Sequence, residues 1–145
     1  MDLAAVEDDI VAKLTTVISD TNIDIRSWPN DPAFFQSLKQ GGAILVRYAG
    51  SDYLPPEPNR QKKVIQDRSP QWNIDIIQKS LKKFKAHQGI YTLIESIRAA
   101  LTGYTITGLS DAGVMWPISD NFTEEAAGTY VYTLVYTFTF PEAEA

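Results

Sequence analysis

The chain has 145 residues, a formal net charge of −5, one histidine and no cysteine. That length suits one domain, residues 1–145, with a sizeable core, and the missing cysteine excludes disulfides and thiolate chemistry. No apolar run approaches the ~20 residues that span a bilayer, and the acidic, amphipathic N-terminus is unlike a secretory signal. The charge falls in blocks: −5 over residues 1–59, +6 over 60–100 and −6 over 101–145. Blocks of opposite sign suit head-to-tail contacts between copies; the plainer account is a folded dipole with solvated faces.

In chain order, Asp2 is placed to cap a first helix. Leu3, Val6, Ile10, Leu14 and Val17 recur at helical spacing and predict a helix over Leu3–Ser19. Ile23–Trp28 reads as a short strand that Pro29 and Pro32 stop, and Pro32–Gln40 as a helical turn capped by Asp31. Gly41-Gly42 releases the chain into a central strand, Ala43–Tyr48. Ala49–Asn59 contains three prolines and reads as loop. Lys62–Arg68 and Trp72–Lys79 are strand-like on either side of Ser69-Pro70, forming either one bent strand or a hairpin. After Gly89, Ile90, Leu93, Ile94, Ile97 and Leu101 share one helical stripe, and Gly103 stops that helix. Gly108–Gly113 reads as loop and Val114–Ile118 as a short edge strand holding Pro117. Asn121–Gly128 reads as the turn into the last element.

That last element, Thr129–Phe140, carries the clearest signal. Tyr130, Tyr132, Leu134, Tyr136, Phe138 and Phe140 alternate with threonines and valines in strict period two. At ~3.3 Å per residue such a strand spans about 40 Å, against a radius of gyration of ~15 Å for a domain this size. Part of it is therefore expected to project and pair with something else. The whole pattern predicts an α+β two-layer fold. Two amphipathic helices lie on one face of a mostly antiparallel sheet of four to five strands.

Catalytic groupings are absent from the pattern. His87 lies in a polar connector and reads as a solvated side chain, so nucleophilic triads and zinc sites lack their usual residues. Asp8-Asp9 and Glu124-Glu125 are neighbours whose side chains diverge on a helix or strand, so both pairs read as solvated surface. No glycine loop cradles a phosphate. The basic stretch Arg60–Lys85, with Trp72 and Phe84 interleaved, raises nucleic-acid binding as an alternative. Trp72 alternates with Ile74 and Ile76, however, which marks it as core rather than a stacking platform.

The motif order then resembles a known family. An acidic helix (A-V-E-D-D-I-V-A-K-L) precedes W-P-x-D-P at Trp28–Pro32, and A-I-L-V-R-Y-A-G-S-D-Y follows at Ala43–Tyr53. Next come the basic strands Gln61–Ser80, the helix G-I-Y-T-L-I-E-S-I-R-A-A-L-T-G-Y at Gly89–Tyr104, and G-T-Y-V-Y-T-L-V-Y at Gly128–Tyr136. Together they resemble the tail terminators of Mu-like, contractile-tailed phages and prophages. The resemblance implies a structural virion protein with no catalysis, cofactor or metal. It implies a homo-hexameric ring on the tail tube, at the neck-proximal end of the tail, assembled in the host cytoplasm. Its partners would be its own copies, tube and sheath proteins, and neck or head-completion proteins, with DNA only passing through the bore and no membrane involved. Another neck or head–tail connector subunit is the alternative within that class. On this reading Arg60, Lys62, Lys63, Lys82 and Lys83 are candidates for subunit or tube contact, turned away from the bore, since cationic groups there would hold the DNA phosphates. Tyr53, Leu54, Pro55 and Pro56 are a candidate docking loop.

Overall fold

The structure is a computed structural model that describes residues 1–19, 22–30, 34, 42–55, 64–79, 86–109, 113–126 and 129–144. Its elements are α1 (Leu3–Val17), β1 (Asp24–Ser27), β2 (Ala43–Tyr53), β3 (Val64–Lys79), α2 (Ala86–Leu101), β4 (Trp116–Ala126), β5 (Thr129–Thr137) and β6 (Phe140–Glu144). The six strands form one sheet in the order β1-β2-β3-β5-β4, with β6 also paired to β3. Only β1 and β2 run parallel; every other pairing is antiparallel. The α+β expectation therefore holds, with one strand more than the four to five expected.

The helices cover one face of the sheet. Val6, Ile10 and Leu14 of α1 and Leu93, Ile97 and Leu101 of α2 close over Ile44, Val46, Trp72, Ile74, Ile76, Leu134, Tyr136 and Phe138. These are the residues that the helical stripes and strand alternations single out. Trp72 is fully buried there, as its alternation requires. The Asp2 carboxylate caps α1 by accepting from the amides of Ala4 (3.0 Å) and Ala5 (3.2 Å). Gly103, at φ +79°, turns the chain after α2, and its amide reaches the Met115 carbonyl at 2.8 Å.

β3 takes the single-strand form of the two that the sequence allows. It is one continuous strand of 16 residues, so neither a hairpin nor an interruption occurs at Ser69-Pro70. The break falls on its neighbour instead. Thr137 pairs with Gln71 and Phe140 with Arg68, leaving Phe138-Thr139 outside the ladder, opposite Ser69-Pro70. The Pro70 carbonyl faces β5, where it accepts from Thr137 Oγ1 at 2.8 Å. In an antiparallel strand a residue's N–H points the same way as its carbonyl, so the missing proline N–H opens the ladder at this point. The expected long strand is thus two strands, and its excess length pairs with β3 of the same chain rather than projecting.

Three further boundaries move. β2 runs on to Tyr53 through a register shift between Tyr48 and Gly50, into what reads as loop. α2 begins at Ala86, so Gly89 lies inside it. β4 extends from Trp116 to Ala126, taking in Asn121–Ala126 where a turn was expected. Two register shifts, at Pro117/Ser119 and Phe122/Glu124, change which side of the strand its residues face and mask the alternation. The helical turn expected over Pro32–Gln40 lies outside the described residues except for Phe34.

Gly42 sits where nothing larger fits. It has φ +93°, and a Cβ built on it would stand 2.2 Å from the Ile77 carbonyl oxygen. Gly42→Ala is expected to cost more than about 2 kcal/mol, lowering Tm by about 5 °C or more. An unchanged melting curve would contradict the close approach of the β2 entry to β3.

Candidate assembly surfaces

The sheet face away from the helices is built around one buried carboxylate. Asp75 lies mid-way along β3, opposite Leu45 on β2 and Thr133 on β5. Its Oδ1 accepts from Thr133 Oγ1 at 2.6 Å, and its Oδ2 from Trp28 Nε1 at 2.9 Å and Arg47 Nε at 3.2 Å. Thr123 of β4 donates onward to Thr133 Oγ1 at 2.6 Å. A buried carboxylate is tolerable only when paired and hydrogen-bonded in this way. Trp28, the first residue of the W-P-x-D-P motif, is thus fastened to the sheet through its indole. The Arg47 guanidinium also lies 5.7 Å from the centre of the Trp28 ring. Beside this network Ala43, Leu45 and Ile77 are buried against Phe34 and Val131.

At the far end of β3, four side chains join three strands. Arg68 donates from Nη1 to Glu142 on β6 (3.0 Å), from Nε to Ser51 Oγ (3.0 Å) and from Nη2 to the Tyr48 hydroxyl (3.3 Å). Burial raises the Tyr48 pKa, but the bonds to Ser51 and Arg68 and the charge of Arg68 outweigh it and leave the hydroxyl more acidic than usual. The bond to Tyr48 raises that of Arg68, with further help from Glu142. This clamp holds the end of the β2–β3 hairpin against β6. The hairpin end then presents Tyr53 and Leu54, 52% and 58% exposed. The Leu54 backbone is fixed at both polar groups: its amide donates to the Asp67 carbonyl at 3.0 Å, and its carbonyl accepts from Gln66 Nε2 at 2.8 Å. Of the candidate docking loop, Tyr53, Leu54 and Pro55 therefore form an exposed apolar knob on a fixed base; Pro56 lies outside the described residues.

A groove of about 440 Å³ opens diagonally across from this knob, between α2 and the edge strand β4. Tyr91, Ile94, Glu95 and Arg98 form its α2 wall, and Asp120, Phe122 and Tyr132 its sheet wall. Phe122 and Tyr132 meet edge-to-face with ring centres 5.1 Å apart. Burial, then the neighbouring Tyr91 and Tyr130, raise the Tyr132 pKa. Phe122 and Tyr91 are 50% and 55% exposed, and Trp116 and Ile118 stand exposed further along β4. Sequence pattern alone gave no sign of this groove, because the register shifts of β4 scatter its apolar residues.

The five cationic candidates, Arg60, Lys62, Lys63, Lys82 and Lys83, lie outside the described residues. His87 belongs to α2 rather than to a connector. Asp9 is an anchor rather than solvated surface. It accepts from the Tyr104 hydroxyl at 2.7 Å and from the Thr107 amide at 2.9 Å, tying the loop after α2 to α1. Among the described residues no group of three or more acidic or histidine side chains is arranged to hold a metal, and no helix is long and apolar enough to cross a membrane.

Architecture and surfaces define an α+β chain whose exposed apolar features, among the described residues, include a fixed hairpin end and an aromatic groove. The chain belongs to the Gp37 family, described as Gp37 protein, whose profile matches residues 10–144. Among solved structures it is similar to a chain of one described as "Virion of native gene transfer agent (GTA) particle". The two share 13% identity and a TM-score of 0.54, over 96% of each chain. At that identity the likeness establishes a common fold. No curated protein matches.

Asp75→Ala strands the Trp28 indole N–H and the Thr133 hydroxyl and removes the partner of Arg47. A loss of about 3 kcal/mol in denaturant unfolding is expected, somewhat below a fully buried pair because Arg47 is half exposed. Wild-type stability in this variant would show that the network does not hold the face together.

Proposed function

We propose that this chain is a structural virion protein and, specifically, a tail terminator: a single-domain subunit of a homo-hexameric ring that sits on the last ring of the tail tube. There it stops tube and sheath growth and offers a docking surface to neck or head-completion proteins, and DNA passes through its bore. The observation that carries the structural-protein reading is the common fold, end to end, with a chain of a gene transfer agent virion. The resemblance in motif order to Mu-like tail terminators carries the finer reading. Two features of the molecule support both. Among the described residues, exposed apolar side chains stand on a fixed knob (Tyr53, Leu54) and in an open groove (Tyr91, Phe122), as on a protein that binds other proteins. Among the described residues the side chains with unusual acidity, Tyr48, Arg68, Tyr104, Tyr132 and Tyr136, act in strand clamps, inter-element ties and ring contacts rather than converging on a reactive centre.

A ring subunit works by shape and repeated contact, without chemistry of its own, so the reading assigns it no catalytic residue and no cofactor. Fully buried Trp72 is unavailable to stack on bases, which weighs against a nucleic-acid-binding domain. A neck or connector subunit is the alternative within the same class, and the experiment below separates the two.

Particles assembled without this protein are expected to have tails of uncontrolled length that do not join heads. Tails of normal length that remain headless would move the protein to the neck. Finished particles of normal length and infectivity would overturn the proposal.

A further inference from the structure

Every described arginine outside α2 sits between a carboxylate and an aromatic ring of its own chain. Arg26 lies 2.7 Å from Asp24 and 5.0 Å from the centre of the Phe34 ring. Arg47 lies 3.2 Å from Asp75 and 5.7 Å from the centre of the Trp28 ring. Arg68 lies 3.0 Å from Glu142 and 5.6 Å from the centre of the Tyr53 ring. The combination suits a guanidinium, whose flat face is drawn to a ring while its edge donates to carboxylate oxygens.

The groove between α2 and β4 offers the same two groups to a visitor. Asp120 and Phe122 stand two residues apart on β4, opposite Leu134 and Tyr132, so both face the helix side of the sheet, about 7 Å apart along the strand. Among the described residues the Asp120 carboxylate accepts no hydrogen bond and forms no ion pair. The half-exposed Phe122 ring meets the rings of Tyr130 and Tyr132, and no cation lies over it. Arg98, on the α2 wall, lies 4.0 Å from Glu95 of its own helix. We infer that this groove receives an arginine side chain of another protein, its guanidinium lying against Phe122 and donating to Asp120. This names the chemistry of a docking partner and rests on the assembly reading above.

Charge favours a cationic occupant. Glu95 and Asp120 outnumber Arg98 in the groove, and residues 101–145, which supply its sheet wall, hold six acidic side chains and no lysine or arginine. Tyr91 and Ile94 give the arginine stem an apolar surface to lie along. Arginine suits the site better than lysine, because a guanidinium is planar and more weakly hydrated than an ammonium. The described arginines of this chain are already engaged, three on their own rings and carboxylates and Arg98 in the groove wall itself, which points to a different protein as the donor. One exposed contact of this kind is weak, and its repetition over several copies of the chain is what makes it hold.

The probe is Nα-acetyl-argininamide, titrated into the full chain labelled with nitrogen-15, with the neutral citrulline counterpart as control. The amides of Tyr91, Asp120, Phe122 and Tyr132 are expected to shift saturably, with a Kd on the order of 1–10 mM, and the citrulline compound to bind at least about fivefold more weakly. Asp120→Asn and Phe122→Leu are each expected to keep the wild-type melting curve and to weaken arginine binding at least about threefold. Citrulline binding as tight as arginine binding, shifts confined to other parts of the molecule, or wild-type affinity in both variants overturns the site. Such a failure leaves the assembly reading standing if particles lacking the protein still have uncontrolled tails. Normal particles together with arginine binding in the groove overturn that reading and leave the site.

Discussion

Everything in this molecule is referred to β3. It lies at the centre of the sheet, pairs with β2 along one side, and is long enough to hold β5 and then β6 along the other. Its inward residues Trp72, Ile74 and Ile76 carry the core beneath the helices. On the outward face Asp75 carries the polar network that fastens Trp28, Arg47 and Thr133. Its first residues reach Arg68 and the clamp at the hairpin end. A strand with both sides occupied by hydrogen-bond partners is fixed in register, and so fixes everything attached to it.

Pro70 shows how one residue sets architecture. It stays within the β2 ladder but has no N–H to offer on the other side, and the C-terminal ribbon divides there into β5 and β6. Phe138, at the break, remains buried with Leu134 and Tyr136, so the apolar alternation continues where the hydrogen-bond ladder stops. The period-two pattern over Thr129–Phe140 therefore reads the packing correctly and the backbone pairing incorrectly. Side-chain periodicity reports burial; pairing depends on the neighbouring strand, which is distant in sequence.

The same reasoning explains what else the sequence reveals. Both helices, their buried stripes and the central strands are legible because their apolar residues repeat locally. The exposed apolar character of Tyr53 and Leu54 is legible too, since loop composition is local. The groove is not, because it joins Tyr91 of α2 to Phe122 and Tyr132 of β4 and β5, and two register shifts hide the alternation of β4. Nor is the role of Asp9 or Asp75: a lone carboxylate in sequence looks solvated until the fold brings it donors.

Because β3 is paired along its length with β2, β5 and β6, the knob near one end and the groove toward the other keep a fixed separation. Amide hydrogen exchange measures that rigidity directly. The amides of Trp72–Ile77 are expected to exchange only through global unfolding, with an opening free energy equal to that from denaturant unfolding, on the order of 5–15 kcal/mol. Exchange of those amides as fast as that of the short edge strand β1 would contradict the account.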